Sequence, residues 1–329
     1  MNTATPAPHR LCVAPMLDWT TPACRYFLRL ICRRAFLYTE MIASAALTHG
    51  DATRLLAFHP HEHPVAAQFG GSDPAELARC AAQAAALGYD EVNLNVGCPS
   101  DRVQSGRFGA CLMAEPALVA RCVAAMRQAG VPVTVKTRLG IDDLDSYDFL
   151  AEFIGTVRAA GCATFVLHAR KAYLSGLSPR ENREVPPLMY ERVHRVKREF
   201  PDLEIVLNGG ITTLDEARRQ LVNVDGVMIG REAYRNPWLL AQADRDLFDA
   251  TAPIPTRLDV LDAYRPYLEQ RLREGARLPE LTRHLLGLFQ GQPGARAWRR
   301  HLSTQAPRAG SDAGIIDAAL REMQRRPAA

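Results

Sequence analysis

Short apolar segments alternate with longer amphipathic segments from residue 11 to about residue 250. Eight of the short segments are almost continuously apolar, which is typical of parallel strands buried on both faces. The predicted strands are 11–16, 35–41, 65–70, 91–97, 133–140, 164–170, 204–210 and 226–231.

Helix signals occupy the segments between these strands. Residues 73–88 begin with Asp73 as a cap and Pro74 in the first turn, and they end at Gly88. Further helices are predicted at 116–130, 146–161, 213–222 and 236–248. Eight strand–helix units in roughly 240 residues predict a (β/α)8 TIM barrel. A doubly wound open sheet is the alternative, and it is disfavoured because no GxGxxG follows the first strand.

The Pro-containing segment 251–257 marks a boundary, because no strand signal follows it. Helices are predicted beyond it at 258–274, 280–290, 294–304 and 312–325. We therefore expect a catalytic barrel over residues 1–250 and a small all-α helical bundle over residues 256–329.

The positive charge is concentrated at the C-terminal end. The chain carries a formal net charge of +4, yet residues 257–329 contain thirteen Arg, no Lys and eight acidic residues. Arginine pairs with phosphate through a planar fork and stacks on bases, so this region is a candidate nucleic-acid surface. A solvated helical surface in a protein from a GC-rich organism explains the composition equally well.

Composition excludes several classes of protein. With 329 residues, 47% of them hydrophobic, the chain can bury a substantial core and is neither disordered nor fibrous. No stretch approaches the roughly 18 apolar residues of a membrane span, and the N-terminal residues 1–10 lack the apolar region of a secretory signal. We expect a cytoplasmic protein whose eight cysteines, which form no CxxC pair, are reduced thiols.

Polar residues stand at the carboxyl ends of the predicted strands, where the active site of a (β/α)8 barrel lies. They follow apolar segments, so packing does not require them. Strand by strand the candidates are Pro15-Met16, Gln68, Asn95 with Cys98, Lys136 with Arg138, His168 with Arg170, Asn208-Gly209-Gly210 and Gly230-Arg231.

The two glycine-containing ends after strands 7 and 8 predict a phosphate site. Asn208-Gly209-Gly210 and Gly230-Arg231 occupy the usual phosphate position of this fold. Glycines let backbone N–H groups approach the phosphate, and Arg231 can add charge-assisted hydrogen bonds. Ordinary turn glycines are the alternative for either pair taken alone.

Lys136 and His168 admit several interpretations. Lys136 can be a cation beside an electron-rich ring, a Schiff-base nucleophile or a paired structural lysine. His168 can donate a hydrogen bond to a ring carbonyl or be a satisfied core histidine. Their positions on neighbouring strands favour a functional role for both.

Cys98 is the candidate reactive thiol, because it lies in a Gly-Cys-Pro turn just past strand 4. A thiol with an ordinary pKa of about 8.5 stays mostly protonated at neutral pH, so it can donate a proton as well as attack. Cys111 is also near the predicted site and is the competing candidate. His59, His61 and His63 alternate in a Pro-bounded loop at the other end of the barrel, so we expect no metal site there.

Several of these segments together resemble the tRNA-dihydrouridine synthases. The resemblance covers about residues 11–320 and is strongest to the bacterial A subfamily, which reduces D-loop uridines 20 and 20a. It rests on the segments VAPM (13–16), AAQFGG (66–71), NLNVGCPSDRVQSGRFGACLM (93–113), VKTRLG (135–140), HARKAYLSGLSPRENREVPPL (168–188), LNGGI (207–211) and IGREAY (229–234).

The resemblance implies a role for each matching residue. The flavin ring of FMN would be lined by Pro15, Met16, Leu17 and Gln68, and its pyrimidine edge contacted by Lys136 and His168. The FMN phosphate would be bound by Asn208, Gly209, Gly210, Gly230 and Arg231. Asn95 would hold the extruded uracil and Cys98 would donate the proton. The basic residues that match the tRNA-orienting positions of the subfamily are Arg180, Arg183, Arg296 and Arg299.

The resemblance also implies the reaction. NADPH would reduce FMN, hydride would pass from flavin N5 to C6 of the uracil, and Cys98 would protonate C5 from the opposite face. The partner would be the D-loop of tRNA, without a metal. Nothing in the sequence demands a dimer, so we expect a monomer. Whether uridine 20, uridine 20a or both are reduced is open, and the sequence contains no nicotinamide-binding motif that selects NADPH over NADH.

Three other functions are compatible with part of the pattern. A dihydroorotate-dehydrogenase-like FMN barrel accounts for Lys136, His168 and the glycines, but not for the arginines of the C-terminal region. A Schiff-base aldolase would use Lys136 as its nucleophile. A tRNA-binding chaperone with a vestigial flavin would not depend on Cys98.

Overall fold

The computed structural model describes residues 8–324, apart from the side chains of His49 and Arg102. Each of the eight predicted strand segments contains a strand. In chain order they are β1 Leu11–Val13, β2 Leu37–Ala43, β3 Val65–Gly70, β4 Glu91–Val96, β5 Val133–Thr137, β6 Thr164–His168, β7 Glu204–Asn208 and β8 Gly226–Ile229.

These strands form one parallel sheet that curls into a barrel. Its order is β1-β8-β7-β6-β5-β4-β3-β2. Strands β2 to β7 each lie beside the next strand in the sequence, and β8 also pairs with β1. The first and second strands meet through Phe36, whose N–H donates to the carbonyl of Leu11 at 2.8 Å, while the N–H of Val13 donates to the carbonyl of Phe36 at 2.9 Å. The predicted (β/α)8 fold is confirmed, because helices connect the parallel strands.

Five of the nine described helices between the strands are capped at the N-terminus by a local side chain. In the helix 74–87, for example, the Asp73 carboxylate accepts from the N–H of Glu76, and Gly88 ends the helix with φ +91°. The helices up to the last strand are α1 Pro22–Ile31, α2 Ser44–His49, α3 Ala52–Leu55, α4 Pro74–Leu87, α5 Asp101–Ser105, α6 Pro116–Met126, α7 Tyr147–Ala159, α8 Tyr190–Glu199 and α9 Leu214–Gln220.

Helices continue after the last strand, as predicted, but the segment predicted as a helix over 280–290 is α-helical only to Thr282. They are α10 Arg231–Arg235, α11 Arg257–Arg273, α12 Leu278–Thr282, α13 Ala295–Gln305 and α14 Ile315–Gln324. Within residues 8–324 the chain divides into two compact units, one of residues 8–17 and 36–230 and one of residues 18–35 and 231–324. Residues 18–35 and 231–250 therefore group with the C-terminal helices, whereas the sequence had assigned them to the barrel.

The prediction of one regular helix over residues 236–248 is wrong. Residues Pro237–Gln242 form a 3-10 helix and Asp244–Phe248 a π-helical turn. The side chain of Asp244 accepts from the thiol of Cys32 at 3.0 Å and from the N–H of Arg33 at 2.7 Å. These partners are more than 200 residues away, so the sequence around Asp244 does not predict the contact. The helices α1, α2, α3, α5, α8 and α10 were not predicted. Most residues of α8 are charged or polar, and its buried apolar side chains are Val193 and Val196.

Three predictions reach residues outside the described range. The N-terminal residues 1–7 used to exclude a secretory signal lie outside it, as do residue 325 of the last predicted helix and the C-terminal end of the 256–329 bundle. Within residues 8–324, no helix is long and apolar enough to cross a membrane.

The barrel interior combines an apolar cluster with buried polar side chains. The apolar cluster consists of Cys12, Ala14, Phe36, Tyr38, Ala66, Val166, Val206 and Met228. Several polar residues on the strands are almost inaccessible to solvent, among them Gln68, Glu91, Asn93 and Thr134. Because unpaired polar groups are costly in a dry interior, these side chains must satisfy one another.

A histidine between two carboxylates stabilises the amino end of the barrel. Nε2 of His9 lies 2.6 Å from Glu91, and its Nδ1 lies 2.9 Å from Glu204. Burial is the largest influence on the pKa of His9 and lowers it, but the hydrogen bonds and charges of Glu204 and Glu91 outweigh burial and raise the pKa to about 10. A protonated His9 therefore joins β4 and β7 to the segment before β1.

This raised pKa makes the contribution of His9 to stability dependent on pH. Unfolded histidine has an ordinary pKa of about 6.5, so the contribution is complete below pH 6.5 and is lost as the pH rises through about 10. We expect the difference in urea midpoint between the wild type and His9→Gln to be largest at pH 6 and to shrink steadily toward pH 10. A difference that does not change with pH would mean that His9 acts only through packing.

Candidate active site

The carboxyl ends of β4 to β7 bring four of the predicted site residues together. In the parallel register, Asn95 on β4 pairs with Lys136 on β5, and His168 on β6 pairs with Asn208 on β7. The ammonium of Lys136 donates to Oδ1 of Asn208 at 3.0 Å, across the intervening strand β6. These side chains therefore share one end of the barrel.

Lys136 is a half-buried cation. Burial is the main cause that lowers its pKa, to about 7, and the neighbouring Arg138 lowers it further, whereas Cys98 opposes the change. Near neutral pH the amine therefore exchanges between charged and neutral forms. An anionic group bound beside it would favour the charged form.

His168 is held neutral with one ring nitrogen unused. Burial, followed by the positive charges of Arg138 and Lys136, holds the pKa of His168 well below its ordinary value. Its Nδ1 is buried and has no hydrogen-bond partner among the described residues. Because buried polar atoms are normally paired, this nitrogen is suited to a polar atom of a bound molecule.

The turn after β7 has a backbone geometry that favours glycine. Gly209 and Gly210 have φ of +114° and +75°, a region that other residues adopt at a cost. A Cβ on Gly210 would lie 2.5 Å from Leu188 and 2.6 Å from the hydroxyl of Tyr190. The hydroxyl of Tyr190 also donates to the carbonyl of Gly209 at 2.7 Å. The turn therefore requires glycine for both conformation and space.

The end of β8 is open. A Cβ on Gly230 would have only Ala14 within 4 Å, at 3.9 Å, so the backbone there is accessible to a bound group. Arg231 follows as the first residue of α10 and belongs to the second compact unit.

The Gly-Cys-Pro turn is attached to β4 by the side chain of Asn95. Its Oδ1 accepts from the N–H of Gly97 at 3.0 Å and from the N–H of Cys98 at 2.9 Å. Its Nδ2 donates to Oε1 of the buried Gln68 at 2.9 Å. The predicted roles of Gln68, Asn95 and Cys98 thus fall on three residues that are connected to one another.

Cys98 and Cys111 are the two cysteines that are not fully buried, among eight free thiols. The thiol of Cys98 lies 3.4 Å from the hydroxyl of Ser100, and its carbonyl accepts from the N–H of Ala110 at 2.9 Å. The thiol of Cys111 donates to the carbonyl of Phe108 at 3.2 Å, and burial raises its pKa. Cys111 is therefore engaged within its own turn.

The long loop after β6 is organised by two residues whose roles the sequence did not indicate. Asn182 is fully buried, and its amide hydrogen-bonds the backbone of Tyr173 in both directions, at 2.7 and 2.9 Å. The buried guanidinium of Arg138 donates to the carbonyl of Asn182 at 2.8 Å and to that of Gly97 at 3.2 Å. Arg138 therefore joins this loop to the Cys98 turn, a contact that depends on backbone positions and has no local signal.

The remaining predicted residues lie on surfaces or loops. Pro15 and Met16 are half-buried after β1, and Leu17 is 63% exposed. Arg180 and Arg183 are exposed on the loop after β6, where Arg180 lies 3.6 Å from Glu184.

The second unit carries the other two predicted arginines. On α13, Arg296 is exposed, and Arg299 is half-buried and donates to Gln290 at 3.1 Å.

The histidine side chains of the loop before β3 bind groups of the protein itself. Nδ1 of His59 accepts from the N–H of His61 at 3.1 Å, and Nδ1 of His63 lies 2.6 Å from the carboxylate of Asp90. Across residues 8–324, no group of three or more His, Cys, Asp or Glu residues could hold a metal ion.

Known proteins match this chain over most of its length. A family model described as dihydrouridine synthase (Dus) matches residues 12–324. The tRNA-dihydrouridine(20/20a) synthase of Yersinia pestis is 59% identical over 313 residues, which cover 94% of this chain and 90% of that protein. The protein of the same name from Vibrio cholerae is 58% identical, covering 94% and 95%.

Two solved structures share the fold at low sequence identity. A 2-naphthoyl-CoA reductase in complex with 2-naphthoyl-CoA superposes with a TM-score of 0.54 at 9% identity, over 71% of this chain and 49% of that chain. An old yellow enzyme homologue from Zymomonas mobilis gives a TM-score of 0.52 at 12% identity, over 75% and 90%.

The glycine turn after β7 can be tested by a pair of alanine substitutions. Gly176→Ala places a side chain at φ +79° with no atom within 4 Å of its Cβ, so we expect it to cost about 1 kcal/mol. Gly210→Ala adds the clash with Leu188 and Tyr190, and should cost about 1–3 kcal/mol more. Urea denaturation of both variants measures the difference; equal losses would show that the turn is not tightly packed.

Proposed function

The chain belongs to the dihydrouridine synthase family, and from this premise we propose that it reduces uridine 20, uridine 20a or both in the D-loop of tRNA to 5,6-dihydrouridine. The flavin would be FMN and the reductant NADPH. The observation that best supports this reaction is the placement of Cys98, Lys136 and His168 at one end of the barrel, a thiol together with two groups suited to an electron-rich ring.

The residues at the carboxyl ends of the strands fit FMN. The unpartnered Nδ1 of His168 and the amine of Lys136 would contact polar atoms of the ring. Pro15, Met16, Leu17 and Gln68 would line the rest of the ring, as the family resemblance implies.

The phosphate of FMN would be bound after β7 and β8. Glycine backbone and a cation suit a phosphate group, because N–H groups can approach it closely and the guanidinium adds charge-assisted hydrogen bonds. The residues proposed for this site are Asn208, Gly209, Gly210, Gly230 and Arg231.

Bound FMN would supply a hydride to the uracil after reduction by NADPH. Lys136 would stabilise negative charge on the ring, since an adjacent anion favours its ammonium form near neutral pH. His168 stays neutral, so it can contribute a hydrogen bond without adding a second charge.

Cys98 would donate the proton to C5 of the uracil. The turn that carries it is attached to Asn95 by two backbone hydrogen bonds, so the thiol has a defined position relative to the strand ends. General acids contribute most when they are held within hydrogen-bond reach of the atom that accepts the proton. The same Asn95 would hold the extruded uracil.

Arginines on both units would bind the tRNA backbone. Arg180 and Arg183 on the loop after β6, and Arg296 and Arg299 on α13, are the residues proposed to orient the tRNA. The target nucleotide must leave its stack to reach the barrel end, which explains the need for a helical region, residues 256–329, that grips the rest of the molecule. Contacts to many phosphates predict an affinity that falls steeply with salt.

An anaerobic flavin experiment tests the reaction, the cofactor and the substrate together. The visible band of the bound flavin is bleached with NADPH, and tRNA lacking dihydrouridine is then added. We expect rapid return of the band with this tRNA and none with tRNA that already carries dihydrouridine at both positions, because only the first supplies a reducible uracil.

The other outcomes identify the alternatives. A flavin that bleaches but does not respond to tRNA would indicate an oxidoreductase acting on a small molecule. Purified protein without any flavin, combined with borohydride trapping of a carbonyl compound on Lys136, would indicate an aldolase.

The assignment of the acid can be tested with a matched pair of cysteine variants. Cys98→Ala should lower tRNA-dependent flavin reoxidation by at least about 100-fold, because the general acid is lost, while tRNA binding is retained. Cys111→Ala should keep wild-type activity, since its thiol hydrogen-bonds within its own turn. Equal loss of activity in both variants would show that Cys98 is not specifically the acid.

A further inference from the structure

A chain of side-chain hydrogen bonds crosses the barrel interior from the amino end of β4 to the Cys98 turn. Four residues form it, Thr134, Asn93, Gln68 and Asn95, and are called here the amide relay. The hydroxyl of Thr134 accepts from Nδ2 of Asn93 at 2.7 Å, and Oδ1 of Asn93 accepts from Nε2 of Gln68 at 2.8 Å. Gln68 in turn accepts from Asn95, which holds the turn.

The two ends of the relay determine its direction. At one end the carboxylate of Glu91 can only accept, and it receives the hydroxyls of Thr134 at 2.6 Å and Tyr38 at 3.1 Å. At the other end the backbone N–H groups of Gly97 and Cys98 can only donate. Every bond between these ends must therefore point toward Glu91.

This direction fixes the orientation of each amide. Because the proton of Thr134 goes to Glu91, its oxygen is left to accept from Asn93, and the same reasoning passes along the chain to Asn95. All four relay residues are buried, so no water can compensate for a reversed amide that would place two acceptors or two donors together.

The consequence is that the Asn95 amide keeps one donor for a bound molecule. Oδ1 of Asn95 is occupied by two backbone N–H groups, and one hydrogen of its Nδ2 is occupied by Gln68. The second hydrogen of Nδ2 remains. Asn95 can therefore offer an N–H to a carbonyl oxygen of a pyrimidine, but it has no acceptor to spare for a ring N–H or an exocyclic amine.

We propose that Thr134 and Asn93 are positioning residues for uracil reduction, which set the orientation of the Asn95 amide and, through it, of the Cys98 turn. This inference rests on the proposed function. Neither residue contacts the substrate; each acts through Gln68 and Asn95. Loss of the relay should therefore affect the step in which uracil is reduced and leave other steps intact.

Substitutions at Thr134 provide the test. Thr134→Val keeps the shape of the side chain and removes the hydroxyl, whereas Thr134→Ser keeps the hydroxyl. In single-turnover experiments with saturating tRNA, we expect Thr134→Val to slow flavin reoxidation by about 10- to 100-fold, because small misplacements of reacting groups have effects of this size. Flavin reduction by NADPH and the Kd for tRNA should be unchanged, and Thr134→Ser should restore the rate.

Thr164 supplies a matched control. Its hydroxyl also donates to a carboxylate at the amino end of the barrel, that of Glu204 at 3.0 Å, but it is not part of the relay. The flavin of Thr164→Val should therefore be reoxidised by tRNA at the wild-type rate. Equal slowing in Thr164→Val and Thr134→Val would overturn the proposal, as would failure of Thr134→Ser to recover.

Asn93→Asp tests the amide relay at a second hydrogen bond. It replaces Thr134→Val as the test if that variant does not fold. An aspartate cannot donate to Thr134, so the same selective slowing of reoxidation is expected. Wild-type reoxidation in either folded variant would refute a positioning role. Wild-type protein that fails to reduce tRNA would instead refute the proposed function, so the two failures are distinguishable.

Discussion

The cost of burying charge in the barrel governs the arrangement of its interior. Within the described part of the first unit, the fully buried carboxylates are Glu62 and Glu91, at or before the amino ends of strands, and Glu91 is neutralised by a protonated His9. At the carboxyl ends of β5 and β6, Lys136 and Arg138 are cationic and His168 is neutral, and the half-buried carboxylates Asp142 and Asp145 bind the loop after β6. The fully buried carboxylates among the described residues of the first unit are thus separated from the cations around the site.

This separation accounts for the chemistry of the site. An anionic ligand beside Lys136, whose pKa is lowered to about 7, would favour its ammonium form, and the neutral His168 has an unpartnered Nδ1 among the described residues, so both residues suit the electron-rich ring of the proposed function. Arg138 has a different task, because its guanidinium binds main-chain carbonyls of two loops. Its positive charge helps to lower the pKa of Lys136 and of His168, while its hydrogen bonds hold the Cys98 turn and the loop after β6.

The amide relay connects the two ends of the barrel. Glu91 takes part in both structures, since it accepts from His9 on one side and from Thr134 on the other. A buried network in which every member is satisfied specifies one arrangement, whereas a partly satisfied network would leave several. Stability at the amino end and the position of Cys98 at the other end are therefore properties of one connected set of bonds.

The sequence by itself determined the eight strands, most of the helices and the polar residues at the strand ends, because apolar periodicity and glycine or proline boundaries are local signals. It also indicated the family, through segments such as NLNVGCPSDR and LNGGI. Only the tertiary structure decided that Thr134, Asn93 and Asn95 act in one chain, that residues 18–35 group with the C-terminal helices, and that Lys136 titrates near neutrality. These features depend on contacts between residues far apart in the chain and on burial, which no local pattern of residues encodes.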